Sequence, residues 1–291
     1  MMRRLRIGMT LLFIAAALAG CREGAPSSIV VGSKNFTESV ILGELVAQRL
    51  EAAGCRVDRR LNLGGTLVCD RAIAGGSLDV YVEYSGTALT AILGEPTSSD
   101  REAVNRTIRQ RYRARGLHWG PGLGFDNTFA MLVRRSDSER LGLRSIGDLH
   151  RVADRFQAGF GYEFTERPDG WPGLQQAYGF RFAKPPITMD LGLTYKALAS
   201  GRVDLIAGNS TDGLIETLGL HQLEDDRHYF PPYEAAVVAR RDIERKCPSA
   251  RAALDSLAAI FDDAAMRRLN EQVDRRVKSE REVAGEMLRL Q

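Results

Sequence analysis

The chain has 291 residues, with 40 lysines and arginines against 37 aspartates and glutamates, a formal net charge of +3. Arg3, Arg4 and Arg6 supply that whole surplus, so the remainder is near neutral and lacks the clustered basic face a nucleic-acid binder needs. A hydrophobic content of 44% at this length buries a large core, in one large or two modest domains.

The first element is a leader. Its basic start precedes an apolar run from Ile7 to Ala17 and then Leu18-Ala19-Gly20-Cys21, the layout of a secretory signal too short for a stable membrane span. Cysteine directly after Leu-Ala-Gly resembles a bacterial lipobox, which implies a signal peptide over 1–21, acylation of Cys21 and a lipid tether to a membrane. No later run of about 18 apolar residues exists to span a bilayer. The expected address is the periplasm or the outer face of the cytoplasmic membrane. Of the other cysteines, Cys55, Cys69 and Cys247, three thiols cannot all pair with one another. A Cys55–Cys69 bridge and buried free thiols both remain open.

After a polar tether, Ser28 to Gly32 reads as a buried strand. A helix starting with Thr37 as a capping residue carries Val40, Ile41, Leu45, Val46 and Leu50 at helical spacing until Gly54. Val57 to Leu63 alternates as a strand, and Gly64-Gly65-Thr66 turns into a helix ending at Gly75-Gly76. Leu78 to Tyr84 is a strand, Thr87 to Leu93 helical, and Ser98 to Arg115 a charged surface helix. Gly120-Pro-Gly-Leu-Gly124 lacks the spacing of a phosphate loop and reads as a turn. A second series follows: strand Phe129 to Val133, helix Ile146 to Arg151, strand Gln157 to Tyr162, helix Gly192 to Ser200, strand Val203 to Ala207. Pro231-Pro232 breaks the chain before strand Glu234 to Ala239. Helices Ala250–Phe261, Asp263–Lys278 and Glu280–Leu290 close it. The alternation predicts an α/β protein of two lobes, each a mainly parallel sheet flanked by helices. Lobe 1 is expected over 29–126 and 229–291, and lobe 2 over 127–228. A hinged cleft between them would hold a small ligand.

Seven motifs occur in order: Gly32-Ser-Lys-Asn-Phe-Thr-Glu38, Leu63-Gly-Gly-Thr66, Tyr81-Val-Glu-Tyr-Ser-Gly-Thr87, Gly124-Phe-Asp-Asn-Thr-Phe129, Glu163-Phe-Thr-Glu-Arg-Pro-Asp-Gly170, Ser210-Thr-Asp-Gly213 and Phe230-Pro-Pro-Tyr233. Together they resemble the osmoprotectant-binding proteins of ABC importers for glycine betaine, choline and carnitine. The resemblance implies the two-lobed type II periplasmic-binding-protein fold, a quaternary-ammonium ligand and a permease partner with its ATPase. A trimethylammonium group has no N–H to donate, so ring faces must hold it, each contributing about 0.5–2 kcal/mol.

By that resemblance Tyr84, Phe129 and Tyr233 would wall an aromatic cage. Lys34 and Arg167 would meet a ligand anion from the two lobes. Thr87 and Asn127 are polar liners, and Tyr195 is a further aromatic candidate. The family commonly has tyrosine at Phe129 and often an aromatic at Asn209. An amide at Asn209 asks the ligand for a polar group and leaves room for choline, carnitine or a larger betaine such as ergothioneine. A ligand sensor without transport is the alternative role. No nucleophile elbow is present. His221, Glu224, Asp225, Asp226 and His228 match no standard metal spacing and read as a solvated loop. A monomeric binding protein without catalytic residues, metal or cofactor is expected.

Overall fold

The computed structural model describes residues 28–289, so the leader and Cys21 lie outside the described residues. Two five-stranded sheets form two lobes. The first contains β1 (Ile29–Gly32), β2 (Val57–Arg60), β3 (Val80–Tyr84), β4 (Leu117–Asp126) and, from far along the chain, β10 (Glu234–Arg240), in the order β2-β1-β3-β10-β4. The second contains β5 (Phe129–Arg134), β6 (Ala158–Gly161), β7 (Ile187–Met189), β8 (Leu205–Asn209) and β9 (Leu220–Gln222), in the order β7-β6-β8-β5-β9.

Helices α1 (Thr37–Ala52) and α2 (Thr66–Ala74) connect β1, β2 and β3, which pair in parallel. The strands joined across the lobes behave differently. β10 runs antiparallel to both β3 and β4, and β5 antiparallel to both β8 and β9. Each sheet is therefore mixed. The parallel expectation holds where a helix connects neighbouring strands, and gives way where the chain crosses to the other lobe.

α1 is buried on most sides, with Ile41, Leu42, Leu45, Val46 and Leu50 all inside. It packs on the first sheet and beneath the closing helices α11 (Asp263–Asp274) and α12 (Glu280–Arg289). That explains apolar residues on more than one stripe of it. Thr37 is its first helical residue rather than its cap; the hydroxyl instead bonds Asp274 at 2.7 Å. The remaining helices are α3 (Ser85–Thr87), running into a wider turn over Ala88–Ile92, α4 (Arg101–Ala114), α5 (Arg135–Leu141), α6 (Tyr162–Glu166), α7 (Trp171–Tyr178), α8 (Leu191–Ala199), α9 (Leu214–Thr217) and α10 (Ala250–Asp255).

Two expectations are corrected. Gly120-Pro-Gly-Leu-Gly124 is not a turn but the middle of β4, whose pairing with β10 shifts register twice. Proline and glycines are admissible there because β4 is an edge strand, and Gly124 takes a φ of 101° that a bulge requires. Cys55 pairs with neither Cys69 nor solvent: it is bonded to Cys247, while Cys69 is a buried free thiol. The bond ties the end of α1 to the C-terminal segment 192 residues later.

The chain passes from β4 to β5 at Asn127–Thr128 and returns between β9 and β10. The two crossings touch: the Asn127 amide donates to the Tyr233 carbonyl at 3.1 Å. The loop read as solvated charge braces this region. Asp225 and Asp226 accept from the Tyr178 hydroxyl at 2.6 and 3.0 Å, and Asp225 also from the Phe230 amide.

Candidate functional site

Between the lobes lies a cavity of about 210 Å³. Loops at the C-terminal ends of the strands deliver its walls, the usual ligand position in open α/β sheets. From the first lobe come Lys34 and Phe36 after β1, Gly65 at the head of α2, and Tyr84 and Thr87 around the end of β3. From the second come Glu163, Phe164 and Arg167 after β6, and Gly208 and Asn209 at the end of β8. Asn127, Phe129 and Tyr233 enter where the chain crosses.

Aromatic rings converge on this space. Phe129 stands edge-on to Phe164, with centroids 4.9 Å apart, and to Tyr233 at 5.8 Å. Across the cavity Tyr84 lies 6.2 Å from Phe36. Tyr233 fits because Gly86 has no side chain; a Cβ there would fall 2.6 Å from the Tyr233 ring. Cations of the protein itself lie against two of the rings. The Lys34 ammonium is 5.1 Å from the Tyr84 centroid, and the Arg167 guanidinium 4.9 Å from that of Phe129.

Both cations are already matched. Lys34 Nζ bonds Glu83 Oε1 at 2.5 Å and Thr66 Oγ1 at 3.0 Å, and Glu83 is fully buried. Burial raises the Glu83 pKa above the ordinary carboxylate value although Lys34 opposes it. Arg167 grips Asp169 with two parallel bonds, Nε to Oδ1 at 2.9 Å and Nη2 to Oδ2 at 2.5 Å, and reaches across the lobes to Thr87 Oγ1 at 3.1 Å. Burial works against the guanidinium charge, yet Asp169 raises its pKa further.

Glu163 is the third carboxylate. It accepts from the Thr66 backbone amide and, at 3.0 Å, from the Thr66 hydroxyl, linking the second lobe to the head of α2. Burial alone would raise its pKa, but Lys34 and Arg167 bring it below the usual value, so it is ionised at neutral pH. Glu163 Oε2 also lies 3.4 Å from Arg167 Nη1, so two cations face three carboxylates and the walls carry net negative charge. Such a space favours a positive guest.

A family model described as the substrate-binding domain of the ABC-type glycine betaine transport system matches residues 27–289. The chain belongs to that family.

Its relatives agree. It is 34% identical over 294 residues to the glycine-betaine-binding protein of Pseudomonas aeruginosa PAO1, covering 98% of this chain and 94% of the relative. It is also 34% identical over 262 residues to the ergothioneine transport permease/ergothioneine binding protein of Helicobacter pylori G27, covering 89% of this chain and 47% of the relative, so it spans about half that protein's length. A crystal structure described as a glycine betaine/carnitine/choline ABC transporter superposes with a TM-score of 0.74 at 28% identity, over 90% of this chain and 98% of the other. This is a substrate-binding protein of the glycine betaine, carnitine and choline type of ABC importer, a family of non-enzymatic binding proteins. No helix among the described residues is long and apolar enough to cross a membrane.

Within this family member the cavity brings together Lys34, Tyr84, Thr87, Asn127, Phe129, Arg167, Asn209 and Tyr233. Tyr195 is not among its walls. It is buried in the second lobe beneath Gly208, its hydroxyl donating to Asp212. Asp212 also accepts from the Asn209 amide at 3.0 Å and from Asn209 Nδ2 at 3.2 Å. The Asn209 side chain at the cavity wall is thus held in place by Asp212. Phe36, Glu163 and Phe164 were missed as wall residues. Each sits inside a motif quoted from the sequence, but nothing in spacing distinguishes a wall phenylalanine from a core one.

Proposed function

We propose that this protein captures a quaternary-ammonium solute (glycine betaine, choline, carnitine or a related betaine) by seating its methylated nitrogen among Tyr84, Phe129 and Tyr233. The supporting observation is the convergence of these rings, drawn from the first lobe and both crossings, on one interlobe cavity with net negative walls. A cation that cannot donate hydrogen bonds gains about 2 kcal/mol or more from a ring once water is excluded. Lobe closure supplies that exclusion, because the closed form binds the ligand better than the open one. The carboxylate of a zwitterionic ligand would compete with Glu163 for the Thr66 donors and Arg167. The closed protein then passes its cargo to an ABC permease whose ATPase drives import. Acylated Cys21 would keep it at the membrane.

A larger betaine is favoured by one specific feature. Asn209 spends Nδ2 on Asp212, which leaves its carbonyl oxygen with acceptor capacity where relatives often carry an aromatic. A ligand ring with an N–H donor, such as that of ergothioneine, suits an acceptor there.

Calorimetry with a panel of glycine betaine, choline, carnitine and ergothioneine tests this. At least one member should bind below about 100 μM. Tyr84→Ala and Tyr233→Ala should each weaken it by about 1–2 kcal/mol. Unchanged affinity in both folded variants removes the rings from the site.

A further inference from the structure

Glu38 is a buried carboxylate at the lobe junction that none of the pocket's charge pairs uses. It is only 1% exposed, yet no cation among the described residues bonds it. Four neutral donors surround it instead. Oε1 accepts from the Tyr84 hydroxyl at 2.6 Å and from Asn127 Nδ2 at 2.8 Å; Oε2 accepts from Thr211 Oγ1 at 2.5 Å and from Asn270 Nδ2 at 3.0 Å. These donors come from four places: the end of β3, the crossing between lobes, the loop after β8 in the second lobe, and α11. Asn270 Nδ2 also donates to the Thr211 carbonyl at 2.8 Å, so the tail helix holds the same second-lobe residue.

An unpaired buried carboxylate is costly unless its lone pairs are filled. Burial pushes the Glu38 pKa up while the four bonds pull it down. Three of the donors belong to the first lobe or the crossing, and Thr211 is the one that belongs to the second lobe.

We propose that Glu38 is a positioning residue that couples lobe closure to the setting of the Tyr84 ring. One oxygen anchors the phenol of the pocket wall and the other receives Thr211 as the lobes meet. Filling Oε2 from the second lobe completes the carboxylate's bonding and fixes Oε1 on Tyr84. The ring is thereby held in place in the closed form. This rests on the reading of Tyr84 as a ligand wall.

The test uses Thr211→Val, Thr211→Ser, Tyr84→Phe and the Thr211→Val/Tyr84→Phe double variant of the full chain. Affinity is measured for the tightest-binding member of the betaine panel. Closure is followed by the distance between spin labels on E102C and D154C, exposed sites on the two lobes. Thr211→Val and Tyr84→Phe should each weaken binding roughly tenfold, as loss of a bond to a charged acceptor implies. The double variant should fall short of the product of the two, because both act through one carboxylate. Both single variants should shrink the ligand-induced change in distance, and Thr211→Ser should restore it. Should Thr211→Val not fold, Tyr84→Phe, which keeps the ring, carries the test on both readouts. The proposal is overturned if the variants lower only the melting temperature of the ligand-free protein and leave affinity and distance change as in the parent. If Tyr84→Ala also leaves affinity intact, the wall reading fails; if Tyr84→Ala weakens binding but Tyr84→Phe and Thr211→Val do not, only the coupling fails.

Discussion

Asp169 is where stability and ligand charge meet most directly. It is fully buried, holds Arg167 by two bonds, and accepts from the Tyr233 hydroxyl at 2.6 Å across the lobe junction. Burial disfavours its charge, but Arg167 brings its pKa below the ordinary value. Asp169→Asn keeps the shape and one acceptor while removing the charge. Breaking a buried pair from one side costs about 3–5 kcal/mol, and the retained acceptor puts the loss near about 3 kcal/mol. For a chain of this size that lowers the melting temperature by roughly 6–12 °C. The exposed pair Arg135–Glu216, 3.4 Å apart with side chains 52% and 77% accessible, is the control; Glu216→Gln should cost less than about 1 kcal/mol. Calorimetry should show a second effect. One more net positive charge at roughly 7 Å, with an effective dielectric of about 20, opposes a cationic ligand by about 2 kcal/mol. A choline-like cation should lose more affinity than a zwitterion. Melting temperatures of Asp169→Asn and Glu216→Gln that coincide would refute the pairing argument, and equal losses for cation and zwitterion would refute the charge argument.

The Cys55–Cys247 bond closes a long loop, so Cys247→Ala should cost about 2–4 kcal/mol in denaturant unfolding, whereas Cys69→Ala should leave the difference between oxidised and reduced protein unchanged. Asp212 is raised by burial to about 7 from 3.8; a group protonated in the folded chain and ionised in the unfolded one stabilises most below about pH 4 and loses that contribution as pH rises through about 7. Asp212→Asn should therefore flatten the fall in melting temperature across that window, and parallel curves for the two proteins would contradict the shift. Glu163→Gln removes the anion that occupies the Thr66 donors and should improve binding of carboxylate-bearing betaines relative to choline, measured as a ratio of Kd values.

Much of the fold was legible where local patterns and tertiary contacts agree. The apolar spacing of Val40, Ile41, Leu45, Val46 and Leu50 gave α1, and the residues after Gly65 gave α2. β4 was hidden because Gly120, Pro121, Gly122 and Gly124 carry turn chemistry locally, while the strand exists through its pairing with β10 more than 100 residues later. The same non-locality concealed the bond to Cys247 and the mixed direction of the sheets. Within the site, motifs pointed to Tyr84, Phe129 and Tyr233. They did not reveal that Lys34 and Arg167 are already matched. The Lys34–Glu83 bond depends on β1 and β3 lying side by side across 49 positions. Glu38 ends one of the motifs, and only the folded chain shows four donors from distant segments meeting there.

The central claim is that positive charge on a methylated nitrogen, not its bulk, is what the rings grip. Calorimetry comparing choline with its uncharged carbon isostere, 3,3-dimethylbutan-1-ol, isolates that charge at constant shape. Ring faces in a desolvated, negatively walled space predict binding of choline at least about tenfold tighter, a gain of about 1.4 kcal/mol or more; equal affinity for the two would contradict the account.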